Sequence, residues 1–174
     1  KLASDLDGNY QRENIKGVYL TCQLAIQQGW KVSDEQLKKG LLNVKKNTNL
    51  RGRWDVLKER PLIIADTAHN KEGLSIALEQ LLQLSHETLR FVIGFVKDKD
   101  IETVLQLFPK NATYYFCQAN VPRALAVEDL KQIAERIGYK GSYYKTVNAA
   151  FNEAKKNQQN ADIIYVGGSN FVVA

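Results

Sequence analysis

Four polar residues between an apolar run and an amphipathic segment are the first candidates for chemistry: Asp66, Thr67, His69 and Asn70. They follow Pro61-Leu-Ile-Ile-Ala65, a short apolar run that is typical of a buried strand. A periodic helix is predicted directly after them. Open α/β sheets bind their ligands where a strand delivers polar side chains to the start of a helix. The stretch therefore predicts one wall of a ligand site, although a helix N-cap alone would explain Asn70.

Three more polar loops are predicted to share this edge. After Leu50, strand-like runs alternate with helix-like runs of about 10–15 residues, which predicts crossover connections and a mainly parallel sheet. All strand-to-helix loops of such a sheet lie on one edge, and here they are 66–70, 97–100, 118–123 and 167–170. Helix N-termini point to the same edge and favour anions. The loops together predict a site for a phosphate or carboxylate ligand.

The predicted fold class is α/β. We expect a Rossmann-like, mainly parallel sheet with helices on both faces and one antiparallel strand, preceded by a helical pair. The antiparallel strand is predicted at 51–57, in a hairpin with 62–65. Residues 50–174 are the expected carboxyl-terminal domain.

Residues 1–49 are predicted to be a helical pair that ends in a linker. Apolar residues recur at helical spacing from Ile15 to Ile26, and Gly29 ends the run. Ser33 and Gln36 form a capping box for the second helix, and residues 45–49 show no pattern. Two amphipathic helices cannot bury both apolar faces alone, so we expect them to be the tail of a preceding domain or to pack on the domain that comes after them.

Composition limits the classes of function. The net charge of +5 comes from scattered basic residues, which favours a solvated surface or attraction for small anions over nucleic-acid binding. Apolar runs are short and no signal peptide is visible, so no membrane association is expected. Cys22 and Cys117 lack metal-ligand spacing and indicate a reducing, cytoplasmic location. A monomer is expected. The start at Lys1 and the absence of Met suggest a fragment.

Several motifs are missing from the sequence. There is no Gly-x-x-x-x-Gly-Lys-Ser/Thr phosphate loop, no dinucleotide Gly-x-Gly-x-x-Gly after the first strand, and no Gly-x-Ser-x-Gly nucleophile elbow. No Cys/His cluster indicates zinc, and no metal ligands are predicted within the chain.

The motifs that are present occur in a recognisable order: Gly52-Arg53-Trp54, Asp66-Thr-Ala-His-Asn70, Asp98-Lys-Asp100 and Gly167-Gly-Ser169. This order resembles the carboxyl-terminal part of the folylpolyglutamate synthase/dihydrofolate synthase family, in the Mur ligase superfamily. Gly8-Asn-Tyr-Gln11 followed by Asn14 is similar to the helix that ends the family's central ATPase domain. Three positions depart from the family pattern: Tyr10 where His is common, Thr67 where Gly is common, and Lys71 where Pro is common.

The resemblance implies an ATP-dependent amide ligase. ATP would phosphorylate a carboxylate of folate or dihydropteroate, and the amine of L-glutamate would attack the acyl phosphate. The family's phosphate loop and Mg²⁺ ligands belong to the upstream ATPase domain, so this chain alone is expected to be inactive.

The resemblance also implies roles for individual residues. Arg53 would meet the ATP phosphates, Asp66 the ribose, and Asn14, with Gln11 beside it, the base. His69 would contact the phosphate or the developing oxyanion.

On the amino-acid side, Ser169 would help to hold glutamate, with Lys99 or Arg123 as carboxylate partners. Two alternatives stay open. One is a Mur-type ligase for a peptidoglycan precursor, with another amino acid as its substrate. The other is a non-catalytic α/β ligand-binding module, although residues 118–121 offer no phosphorylatable Asp of the kind that a receiver domain needs.

Overall fold

The protein forms a six-stranded sheet with helices on both faces, described for residues 2–97 and 100–174 in a computed structural model. The strands are β1 (Asp55–Glu59), β2 (Leu62–Ala65), β3 (Leu89–Ile93), β4 (Thr113–Cys117), β5 (Gly141–Tyr144) and β6 (Ile163–Gly167). The helices are α1 (Gln11–Gln27), α2 (Asp34–Leu41), α3 (Val44–Thr48), α4 (Lys71–Leu82), α5 (Ile101–Leu105), α6 (Val127–Arg136), α7 (Val147–Lys156) and α8 (Asn170–Val173).

The strand order is β1-β2-β6-β3-β4-β5. Strand β1 pairs antiparallel with β2, and all other neighbouring strands are parallel. The predicted fold class, with one antiparallel strand in a mainly parallel sheet, is confirmed. Strand β6 is the last in the chain but lies between β2 and β3, in register with both along Ile163–Val166.

The crossover helices divide between the two faces. As the chain moves from β2 to β5, helices α4, α5 and α6 pack on one face through Leu74, Ile101 and Leu130. When the chain returns from β5 to β6, α7 packs on the other face through Ala150 and Ala154, and α8 follows it there. Right-handed crossovers in opposite directions require helices on opposite faces, which explains the division.

Residues 2–48 form an amino-terminal helical segment beside α4. The side-chain amide of Gln80 ties the two parts together: its oxygen accepts from the Asn9 N–H at 2.7 Å, and its nitrogen donates to the Asp7 carbonyl at 3.1 Å. Apolar side chains of α1, among them Leu20 and Leu24, stay largely exposed. The predicted domain boundary between residues 49 and 50 remains a prediction.

The local structure of this segment agrees with the sequence in one place and differs in another. The capping box of Ser33 and Gln36 is present at the start of α2. The expectation that residues 45–49 have no regular structure was wrong, because Val44–Thr48 is helix α3, while their role as a linker stays a prediction. Both carboxylate oxygens of Asp5 accept hydrogen bonds from the first N–H groups of α3, those of Val44 at 3.0 Å and Lys45 at 2.9 Å.

Among the residues that the structure describes, none of the helices is both long and apolar enough to cross a membrane.

A buried ion pair stabilises the amino-terminal edge of the sheet. The guanidinium of Arg90 on β3 lies 2.9 Å from the carboxylate of Asp162, which directly precedes β6 and is 2% exposed. Arg90 also donates to the Tyr115 hydroxyl and the Asn157 carbonyl. Burial alone would raise the pKa of Asp162, but hydrogen bonds from the Gln159 N–H and from Arg90 outweigh it, so the pKa lies below its ordinary value.

We predict that Arg90→Ala lowers the free energy of unfolding by about 3–5 kcal/mol, because it leaves a buried carboxylate without its cation. The stabilisation is present above the pKa of an unfolded Asp, about 3.9, and is lost as the pH falls through the lower folded value. Urea denaturation at pH 7 and again near pH 3 measures both effects.

Arg136→Ala is the matched control, since Arg136 pairs with Glu102 at 2.7 Å but its side chain is 64% exposed. We expect the control to lose no more than about 1 kcal/mol. Equal losses of unfolding free energy in the two variants would show that the Arg90–Asp162 pair stabilises the fold no more than an exposed pair does.

Candidate active site

A tight turn before β1 brings Arg53 against the loop that follows β2. The turn begins at Gly52, whose φ is +69°. Because Asp55 lies opposite Ala65 in the antiparallel pair, the turn lies beside the first residues of the loop. The backbone N–H and the hydroxyl of Thr67 both donate to the Gly52 carbonyl, at 2.9 and 2.8 Å. The turn and the loop are therefore one hydrogen-bonded unit.

Asp66 is completely buried, and its carboxylate accepts three hydrogen bonds. Oδ2 accepts from the Tyr10 hydroxyl and from the Trp54 N–H, each at 2.7 Å, and Oδ1 accepts from the Ala68 N–H at 2.7 Å. The donors come from the helical segment, from the turn before β1 and from the loop itself. One side chain thus joins three separate parts of the chain.

Burial is the main influence on the charges at this point. It raises the pKa of Asp66 above its ordinary value, although the three hydrogen bonds and the positive charge of Arg53 oppose the shift. Burial and the negative charge of Asp66 raise the pKa of Tyr10 well above 10. With its pKa raised, the Tyr10 hydroxyl keeps its proton and is the donor in this hydrogen bond.

Thr67 positions the side chains of Arg53 and His69. Its hydroxyl accepts a hydrogen bond from the Arg53 guanidinium. Its carbonyl lies 3.0 Å from Nδ1 of His69. Since a carbonyl can only accept, Nδ1 carries a proton and donates it here, which leaves Nε2 as the nitrogen that can bind a ligand. The structure therefore brings Arg53, Asp66 and His69 together, as the sequence predicted.

The loops after β2 and β6 leave the sheet in opposite directions. The first leads to α4 on one face, where Asn70 caps the helix by accepting from the Gly73 N–H at 2.9 Å. The second leads to α8 on the other face. Neighbouring strands whose loops diverge open a crevice at the carboxyl edge, which is the usual ligand position in such sheets. The residues gathered around Thr67 lie at this crevice.

Ser169 lies on the β6 side of the crevice. It is 2% exposed, and its hydroxyl accepts from the Phe171 N–H at 3.2 Å as the N-cap of α8. Its predicted role in binding glutamate stays a prediction.

The two predicted carboxylate partners of glutamate belong to the next loops of the edge. Arg123 is exposed, and its carbonyl accepts from the Lys97 N–H at 3.0 Å, which joins the loops after β3 and β4. Lys99 lies outside the described residues.

Asn14 lies apart from the Thr67 group. It is exposed on α1, one helical turn after Tyr10, and its amide donates to the Gln11 oxygen at 2.9 Å. Both amides line a cavity of about 440 Å³ between α1 and α2, whose other walls are mainly apolar. The cavity therefore presents a mainly apolar surface and three amides, those of Gln11, Asn14 and Gln36.

A larger cavity, of about 740 Å³, opens at the carboxyl edge of the sheet, on the face that α7 covers. That volume lies within the range of small-molecule sites, roughly 300–1,000 Å³. Ala65 and Val166, the residues directly before Asp66 and Gly167, form part of its wall. Its polar lining consists of Gln118, Asn120, Lys145, Thr146 and Asn148.

Sequence reasoning missed the roles of Tyr10 and Thr67. Tyr10 stood out only as a departure from the family pattern, and Thr67 was also recognised as a polar residue of the loop, but neither contact was predicted. Tyr10 contacts Asp66 across 56 positions of the chain, and local periodicity carries no signal for such a contact. Within residues 2–97 and 100–174, no group of three or more His, Cys, Asp and Glu side chains could hold a metal ion.

Comparison with known proteins decides the family. The model of the Mur ligase, glutamate ligase domain, matches residues 52–170. The chain belongs to this family. The matched range begins at the turn that carries Arg53 and ends just after Ser169, so this Mur ligase domain includes every element of the crevice.

Curated relatives of the Mur ligase domain share about a quarter of its residues. A probable bifunctional folylpolyglutamate synthase/dihydropteroate synthase of Haloferax volcanii is 28% identical over 96% of this chain and 19% of its own length. A dihydrofolate synthase/folylpolyglutamate synthase of Bacillus subtilis is 25% identical over 99% of this chain and 40% of its own length. The chain thus spans well under half the length of these relatives.

Solved structures of similar proteins show the same fold. Escherichia coli FolC in complex with ADP matches with a TM-score of 0.70 and 25% identity, over 86% of this chain and 35% of that one. A bifunctional folylpolyglutamate synthase/dihydrofolate synthase with Mn, AMPPNP and L-glutamate bound matches with a TM-score of 0.69 and 28% identity, over 86% and 36% of the two chains.

We predict that Gly52→Ala destabilises the protein and loosens the Arg53 turn. A Cβ at Gly52 would lie 2.7 Å from Thr67 Cγ2 and 2.8 Å from Val173 Cγ1, and the positive φ alone costs an alanine about 1–2 kcal/mol. Urea denaturation measures the loss.

Gly17→Ala on α1 is the control, because a Cβ there meets nothing within 4 Å. Alanine is the better helix former by about 1 kcal/mol, so this variant should be as stable as the wild type or more stable. If Gly52→Ala unfolded at the same urea concentration as the wild type, the lack of space and the positive φ at Gly52 would not limit stability.

Proposed function

We propose that this chain is the carboxyl-terminal part of an ATP-dependent ligase that joins L-glutamate to a carboxylate of folate or dihydropteroate. The observation that carries the proposal is the convergence of Arg53, Asp66 and His69 on one loop at the crevice. The match of residues 52–170 to the Mur ligase glutamate ligase domain supports it.

The proposed reaction passes through an acyl phosphate. The substrate carboxylate attacks the γ-phosphorus of ATP, and ADP leaves. The glutamate amine then attacks the acyl carbon, loses a proton, and expels inorganic phosphate from a tetrahedral intermediate. Negative charge accumulates on the phosphoryl and carbonyl oxygens, so catalysis depends on fixed donors and cations.

Arg53 and His69 supply such donors. The bond to Thr67 holds the Arg53 guanidinium in place while its remaining N–H groups are directed to ATP phosphates. His69, fixed through Nδ1, presents Nε2 to the phosphate or to the developing oxyanion, and Nε2 donates there in the imidazolium form, in which both ring nitrogens carry a proton. The positive end of α4 adds to the attraction for anions at this position.

The other predicted residues fill the remaining parts of the site. Asn14, with Gln11, is assigned to the adenine base, and Asp66 to the ribose. Ser169, with Lys99 or Arg123, is assigned to L-glutamate. Similar solved structures contain ADP, AMPPNP and L-glutamate, which supports the choice of ligands.

A divalent metal is part of the proposal, as Mn in a similar structure suggests, and Mg²⁺ is the ion expected. The described residues do not form a site for it. We therefore assign the metal and the phosphate loop to an upstream ATPase domain, and no step above depends on the metal. A monomeric, cytoplasmic enzyme remains the expected form.

In the full-length protein, His69→Ala is predicted to lower kcat by about 10²–10³, which corresponds to about 2.7–4 kcal/mol for one lost oxyanion donor. The assay measures ADP release with ATP, L-glutamate, and dihydropteroate or tetrahydrofolate. Replacing L-glutamate with other amino acids tests the substrate assignment.

His86→Ala is the matched control. Nδ1 of His86 also binds a carbonyl two residues earlier, at 2.7 Å, but His86 lies between α4 and β3 at the opposite edge of the sheet. We expect the control to keep wild-type kcat. Wild-type turnover in His69→Ala would remove this histidine from the mechanism.

The 174-residue chain alone is predicted to release no ADP above background, because the phosphate loop and metal site are assigned elsewhere. The same assay, run at equal concentrations of this chain and of the full-length protein, checks the prediction. Turnover near that of the full-length enzyme would show that the catalytic site is complete within these residues.

A further inference from the structure

The Tyr10 hydroxyl donates a hydrogen bond to the Asp66 carboxylate, which is the group that the proposed function assigns to the ribose. Two of the three donors to Asp66 are backbone N–H groups, those of Trp54 and Ala68, which the fold holds in place. The third donor is the side chain of Tyr10. With all three in place, Asp66 has no exposed surface. In this arrangement a ligand hydroxyl cannot reach the carboxylate, and Tyr10 is the donor whose side chain can move away.

Movement of Tyr10 would change how the helical segment docks. Tyr10 is the residue directly before α1, and its bond to Asp66 lies close to the Gln80 contacts with Asp7 and Asn9. Apart from these contacts, α1 buries little: Gln11 is its one buried residue. The hydrogen bonds of Tyr10 and of Gln80 therefore contribute to the docking of the segment, and the Tyr10–Asp66 bond goes to a carboxylate.

The geometry points to Tyr10 as a positioning residue that exchanges with the nucleotide: its hydroxyl holds the place of a ribose hydroxyl on Asp66, so nucleotide binding displaces Tyr10 and loosens residues 7–10 from α4. This inference rests on the proposed function, because it takes Asp66 as the ribose ligand. It adds Tyr10, and the displacement of Tyr10 from Asp66, to the residues and steps of the proposed reaction.

The exchange predicts a specific effect on affinity. If only a fraction of molecules has Asp66 free of Tyr10, the apparent Kd for nucleotide is the intrinsic Kd divided by that fraction. Removing the tyrosine hydroxyl raises the fraction towards one and tightens binding. A tyrosine that merely stabilised the site would act in the opposite direction, because its loss would weaken binding.

The first test compares Tyr10→Phe with wild type in the full-length protein. We expect ADP to bind about threefold to tenfold more tightly by calorimetry. Tyr19→Phe is the control, since Tyr19 lies on the surface of α1 and is 36% exposed. Its Kd for ADP should equal that of the wild type.

The second test uses Gly8→Ala, which displaces the Tyr10 ring and keeps its hydroxyl. A Cβ at Gly8 would lie 2.8 Å from Cε1 and Cζ of Tyr10, so Gly8→Ala pushes the ring away from its present position. We expect tighter ADP binding here too, while Gly17→Ala, where a Cβ meets nothing within 4 Å, leaves the Kd unchanged.

Hydrogen exchange gives a readout that does not depend on turnover. In wild type, saturating ADP should speed amide exchange in residues 7–10, which precede the α1 residues assigned to the adenine base. In Tyr10→Phe the same amides should exchange fast without ADP, and ADP should add little. Unchanged or weaker ADP binding in Tyr10→Phe, or slower exchange in wild type with ADP, overturns the inference.

The ligase function and the exchange of Tyr10 with the nucleotide can be disproved separately. If the wild-type protein neither binds ADP nor forms the amide bond, the proposed function is wrong, and the inference falls with it. If the wild type ligates glutamate but Tyr10→Phe binds ADP no more tightly, the function stands and the exchange does not occur.

Discussion

The buried carboxylate of Asp66 is the interaction on which the rest of the site depends. A charge without exposed surface is costly unless donors surround it, and here each donor comes from a different part of the chain. The Trp54 N–H is available because that residue adopts a φ of +53°, which the turn before β1 imposes. The carboxylate therefore requires the turn, the loop and the helical segment to be in place together.

The two edges of the sheet use charge in different ways. At the amino edge, Arg90 and Asp162 form a pair whose remaining hydrogen bonds go to other groups of the protein. At the carboxyl edge, Thr67 anchors Arg53 through one contact, and the side chain stays partly exposed. The first arrangement stabilises the fold, and the second keeps donors available for an anion.

Local sequence patterns predicted most of the fold. Apolar runs such as 62–65 and 163–166 were recognised because strands buried on both faces are apolar at every position. Helix α3 was missed because its cap is the side chain of Asp5, about forty residues away. The Tyr10–Asp66 bond was missed for the same reason, while the gathering of Arg53, Asp66 and His69 followed from topology and family resemblance.

The position of β6 has a consequence for how the protein is made. The chain leaves the ribosome amino end first, so β2 and β3 are complete long before the strand that separates them in the sheet. Until residues 163–167 emerge, β2 and β3 each have an unpaired side, and the crevice next to β6 cannot form. The crevice beside β6 therefore forms only after residues 163–167 have been made, and a chain truncated before β6 has an unpaired side on both β2 and β3.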